Sequence, residues 1–185
     1  MVWIRATLLL LLSAQLCCAD PSLTLRQLEF KGWFGARRGD PTTVYNLLGC
    51  CYLLNTPIAD DAEKFAAAWI SIHPDAELTI VDRAPMTIGG DVFQSYVWIQ
   101  DGDENLNLFL VRQGLVPGGV MQDGVAYLST LPDIDETTKN FPKRLISDAQ
   151  YDAFMKRVID AEAVAAREHK GIWSDKALRQ EDGYE

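Results

Sequence analysis

Apolar and polar positions divide the chain into recognisable elements before any other property is considered. From residue 23 to 34 the apolar residues Leu23, Leu25, Leu28, Phe30, Trp33 and Phe34 mix a period of two with local doubling, the pattern of a strand or a bent strand pair with Gly32 at the bend. Gly35, Gly39, Asp40 and Pro41 form a turn cluster, and residues 44–54 then read as a second apolar strand containing Gly49, Cys50 and Cys51. It ends at Asn55-Thr56-Pro57. Asp60 and Glu63 have capping-box spacing, and Ala62, Phe65, Trp69 and Ile72 recur at helical spacing until Pro74 stops them, which predicts a helix with that stripe in the core. Strands at 78–81 and 92–99 follow, joined by a loop holding Pro85, Gly89 and Gly90.

Residues 96–115 form one packing unit. An apolar run at 96–99 reaches the turn Asp101-Gly102, Asn105 offers a helix cap, and Leu106, Phe109 and Leu110 recur at helical spacing. Gly114 stands where a left-handed C-terminal cap belongs. Residues 116–146 depart from this regularity: Pro117, Gly118, Gly119, Pro132 and Pro142 surround an acidic centre at Asp133, Asp135 and Glu136, with short strand pieces expected near Val120 and at 125–128. Ser147 and Gln150 have the spacing of another capping box, opening a helix to about Lys170 whose buried face is Tyr151, Phe154, Val158, Ala161 and Ala165. Gly171 stops it, Trp173 is expected to pack the chain's end against the barrel, and the tail at 176–185 is polar. The order of strands, helix, strands, helix, loop and helix predicts an α+β domain, an OB-type barrel with about three packed helices.

The run of apolar strand, Asp-Gly turn, asparagine and Leu110-Val111-Arg112-Gln113-Gly114-Leu115 resembles the thermonuclease (staphylococcal nuclease-like) family. The Thr56-Pro57 turn before a helix and the closing Gly171-Ile172-Trp173-Ser174 fall in that family's order. The likeness runs from about Leu53 to Ser174, with a long insertion at about 116–146 inside it. It implies the same OB-type fold. A nuclease of this family needs carboxylates around a hard cation such as calcium, a glutamate for the attacking water and two arginines for the phosphoryl oxygens. By that resemblance the first arginine's position holds Cys50, the metal aspartate's holds Asn55, the glutamate's holds Ile58 and the second arginine's falls on Phe93. A thiol makes no bidentate phosphate contact, an amide brings calcium no charge and isoleucine takes no proton. Gly39-Asp40 matches the family's remaining metal aspartate, at a shorter distance from the Asn55 turn.

Composition narrows the classes. With 185 residues, 48% of them hydrophobic, the chain builds one sizeable core. Arg5, the apolar run at 6–12 and small residues at Cys17 and Ala19 predict a signal peptide at 1–19, a mature domain at 20–175 and a secreted or periplasmic protein without a transmembrane segment. Lipoprotein anchoring at Cys17 is the alternative. The formal charge of −9 opposes a polynucleotide partner, since phosphate binding is driven by basic surfaces; Lys31, Arg37 and Arg38 are the candidates for a local basic patch. Cys50 and Cys51 are neighbours, which makes no disulfide framework, and His73 and His169 are not at ligand spacing.

Three functions follow as expectations. The first is a non-catalytic binding module without a cofactor, engaging a protein or another ligand through the barrel face or the acidic loop at 133–136. The second is a calcium-dependent nuclease with a relocated site, in which Asp40, Asp60 and Asp61 supply carboxylates and Arg83 or Arg37 clamps phosphate; Asp60 and Asp61 equally suit capping roles. The third makes Cys50 and Cys51 a redox or metal pair, against the commoner role of cysteine as a small buried residue.

Overall fold

The computed structural model describes residues 23–31, 34–37, 40–50, 57–85, 93–119 and 143–174. In chain order its elements are a 3-10 turn at Leu25–Gln27, β1 (Leu28–Lys31), β2 (Phe34–Arg37), β3 (Asp40–Leu47), α1 (Pro57–Ile72), β4 (Glu77–Ile80), β5 (Asp82–Pro85), β6 (Phe93–Asp101), β7 (Glu104–Asn105), α2 (Leu106–Arg112), β8 (Lys143–Arg144), α3 (Asp148–Arg167) and a 3-10 turn at Gly171–Ser174. This is the α+β class, with three helices and one mixed sheet among the described residues. The predicted strand pieces near Val120 and at 125–128, the acidic residues Asp133, Asp135 and Glu136, and the segments 1–22 and 175–185 lie outside the described residues.

The sheet runs β1-β2-β3-β6-β5-β8, with β4 and β7 also paired to β6. β1, β2 and β3 are successive antiparallel neighbours, and β3 then runs parallel to β6 from Thr43↔Phe93 to Leu47↔Val97. Thr43, Tyr45 and Leu47 are buried between half-buried Val44 and Asn46, the period of two that one covered face produces. Among the described residues the ladder does not close on itself; a single bridge, Thr24↔Glu77, brings the start of the chain to the edge of β4.

β4 and β5 are one strand interrupted by a bulge. β4 pairs with β6 through Leu78↔Ile99 and Ile80↔Val97, whereas Ala84↔Gln94 and Pro85↔Phe93 on β5 are displaced by one residue. The extra residue leaves a β6 donor without its usual partner, and the wholly buried Asp82 supplies one: Tyr96 N donates to Asp82 Oδ1 at 3.0 Å. The same irregularity turns the Val81 carbonyl outward to accept from Leu145 N at 2.7 Å, and β8 joins the edge through Asp82↔Arg144 and Arg83↔Lys143.

Two helix starts follow their sequence signals. Asn105 caps α2 by accepting from Leu108 N at 3.0 Å, and Ser147 with Gln150 forms the reciprocal box on α3. Gly114, just past α2, has φ +66, the left-handed conformation expected of it. Leu106, Leu110 and Val111 are fully buried against Phe154, Val158 and Ala161 of α3 in one core, each large side chain contributing about 1.5–3 kcal/mol.

Three expectations are corrected. The strand predicted at 44–54 begins at Asp40 and ends at Leu47, because Leu48 and Gly49 turn, with Gly49 at φ +72. α1 opens at Pro57, whose missing N–H costs nothing at a first helical position, so Asp60 lies in the first turn facing the positive end of the helix dipole. The inner stripe of α1 is Ala62, Ala66 and Trp69; Phe65 is 48% exposed and Ile72 72% exposed. Small alanines let the helix approach the core, and Phe65 only reaches sideways to Phe109, ring centres 6.4 Å apart.

Candidate functional site

Asn107, in the first turn of α2, is fully buried. Its Nδ2 donates to Leu48 O at 2.9 Å and Val97 O at 3.0 Å, and its Oδ1 accepts from Ile99 N at 3.2 Å. Both amide protons are used, which satisfies the group completely as a donor. One side chain thus ties the end of β3, the middle of β6 and α2 together. Cys50 lies beside this knot, 6% exposed, with Sγ donating weakly to Asn107 O at 3.6 Å and its backbone bridged to Gly118.

Gly118 packs onto α3 so closely that a Cβ there would stand 2.9 Å from Val111 and 3.1 Å from Val158. Its N–H donates to Glu162 Oε1 at 2.8 Å. Burial raises the Glu162 carboxyl above the ordinary range, and the Gly118 hydrogen bond offsets part of that rise. Ile58 is half-buried in a second apolar cluster with Ala165, Ile172 and Trp173. Trp173 therefore packs beside α1 and α3.

Phe93 is the first residue of β6, paired with Thr43 on one side and Pro85 on the other. Asp40 opens β3 opposite Arg37, roughly 23 Å along that strand from Leu47 at about 3.3 Å per residue. Asp60 and Asp61 are exposed at the start of α1, where Asp61 meets Lys64 at 3.4 Å. Arg83 is exposed on β5 and Lys31 lies on β1. Asn55, Cys51 and Arg38 fall outside the described residues. Among the described residues no group of three or more His, Cys, Asp or Glu side chains is placed to hold a metal ion.

Two further polar groups escaped the reading of the sequence. Asp82 follows the apolar run at 78–81 directly, and only its position after a strand that continues hints at a bulge acceptor. His73 stacks on Trp69 at 4.1 Å and its Nδ1 lies 2.7 Å from Asp101 Oδ2. Its Nε2 is 3.2 Å from Glu104 Oε2, close enough for an ion pair but off the line of a hydrogen bond. This histidine fastens the end of α1 to the β6–β7 hairpin.

α2 and α3 leave a groove of about 330 Å³ between them, lined by Leu108, Arg112, Arg157, Asp160, Ala161 and Val164. Leu108, Ala161 and Val164 are its apolar lining. Asp160 is held by Lys156 at 2.6 Å. No helix among the described residues is long and apolar enough to cross a membrane. No family model matches the chain, and no curated protein matches it.

Proposed function

We propose that this chain is an exported, thermonuclease-like domain on an OB-type barrel that acts by binding and carries out no phosphodiester cleavage. The observation that carries the reading is Cys50. It takes the seat of the first phosphate-clamping arginine in the resemblance, yet it is an interior thiol engaged with the Asn107 carbonyl. Ile58, in the seat of the water-activating glutamate, is packed against Ile172 and Trp173. Neither side chain can neutralise a phosphoryl oxygen or accept a proton from water. The barrel is supported by the parallel pairing of β3 with β6 and by the Thr24↔Glu77 bridge at the open edge. A protein or small-molecule partner suits a chain of net charge −9 better than a polyanion does.

The purified chain, incubated with single-stranded DNA and with RNA in the presence of calcium, is expected to leave both intact. Cleavage that EDTA abolishes, and that survives further purification, overturns the proposal.

A further inference from the structure

Five basic side chains of this acidic protein are matched by a carboxylate among the described residues. Arg26 meets Asp75, Lys64 meets Asp61, Arg144 meets Asp148, Lys156 meets Asp160 and Lys170 meets Glu168. Arg112 and Arg157 are different. They stand on the two helices that wall the groove, and among the described residues neither has an ion-pair partner. Arg167 continues the stripe of Arg157, Asp160 and Val164 along α3. Beyond the groove, at the end of α3, Lys170 holds the exposed Glu168 carboxyl below the usual carboxylate range, with smaller contributions from Arg112 and Arg167.

Half of the lining, Leu108, Ala161 and Val164, is apolar. The one acid that lines it, Asp160, is matched by Lys156. Its volume of about 330 Å³ lies at the small end of ligand pockets, which suits a small molecule better than a folded partner. Two guanidiniums on facing helices can grip one anionic head through several charge-assisted hydrogen bonds, and an apolar lining rewards a tail that leaves water.

We propose that the groove between α2 and α3 binds a small amphipathic anion, a carboxylate or phosphate head on a short apolar body, with Arg112 and Arg157 holding the head. The site is separate from the surroundings of Cys50 and Ile58, so it stands or falls independently of the nuclease assay.

The test is a two-dimensional amide NMR titration of the full chain with sodium octanoate and with octyl phosphate, beside sodium acetate, inorganic phosphate and 1-hexanol as head-only and tail-only probes. Saturable shifts centred on Leu108, Arg112 and Val164 are expected from at least one amphiphile, with the three partial probes at least tenfold weaker. The tighter of the two amphiphiles identifies the head. Arg157→Ala, on an exposed turn of α3 where folding is least at risk, should weaken binding about tenfold. Asp160→Asn, which removes the like charge, should tighten it severalfold. The proposal is overturned by any of three results: no saturable shift from either amphiphile at millimolar concentration, equal binding by Arg157→Ala, or acetate binding as tightly as octanoate.

Discussion

Replacing Asn107 with alanine removes two donated and one accepted hydrogen bond from a place closed to water. The carbonyl of Leu48 and the amide of Ile99 then lose a partner that no solvent can replace. A loss of about 2–3 kcal/mol in urea unfolding is expected, and Asn107→Asp should fare no better, because a carboxylate donates nothing. Glu162 is the opposite kind of residue. Burial raises its folded-state carboxyl above the unfolded value, so the neutral acid favours folding below that unfolded value. That contribution fades as pH climbs through the raised one. Glu162→Gln keeps an acceptor for Gly118 without a charge to bury. Its stability relative to the native chain is therefore expected to be higher at pH 7 than at pH 4, as read by thermal melts across that range. Cys50, enclosed between Asn107 and Gly118, should react with a thiol reagent only as fast as the protein unfolds; rapid labelling of the folded chain at Cys50 would restore the redox reading.

At the scale of elements, the ends of α2 and α3 meet through two glycines. A Cβ on Gly114 would lie 2.2 Å from Lys170 O, and one on Gly171 would lie 2.0 Å from Gly114 O. Both residues have positive φ, and Ile172 N donates to Gly114 O at 2.9 Å across the contact. Gly171→Ala is therefore expected to cost more than about 3 kcal/mol, seen as a large fall in the denaturant midpoint, since backbone must move to admit the methyl group. Gly102→Ala, with open space around the turn, should cost only about 1 kcal/mol from its positive φ. These helix ends were legible in the sequence, because caps are local chemistry: Asn105, Ser147 with Gln150, and Gly114 all do what their residue types dictate. The stripe of α1 was not. Ala62, Phe65, Trp69 and Ile72 and the true set Ala62, Ala66 and Trp69 share two residues, and what separates them is the sheet and α2 standing against one side. The bulge at Asp82 was hidden for a related reason, since one residue of extra length shows only in the register against β6.

For the whole molecule, the α+β class followed from the order of elements, and at two of the positions that the resemblance singles out stand a buried thiol, Cys50, and a half-buried isoleucine, Ile58. The groove between α2 and α3 could not be read from spacing alone. Arg112 belongs to the motif that carries the resemblance and Arg157 to a helix 45 residues further on by sequence number, and only packing sets them on facing walls. The stretch from 120 to 142, outside the described residues, is flanked by two moorings. Before it, Gly119 N donates to Gly49 O at 3.2 Å and Gly118 bridges to Cys50; after it, β8 pairs with β5. The polypeptide is thus written as a sheet-bearing front part and a back part whose α3 supplies Phe154, Val158 and Ala161 to the shared interior. Cutting the covalent link between the moorings leaves every one of those contacts in place, so the two halves, made as separate chains, should find each other and reconstitute one particle.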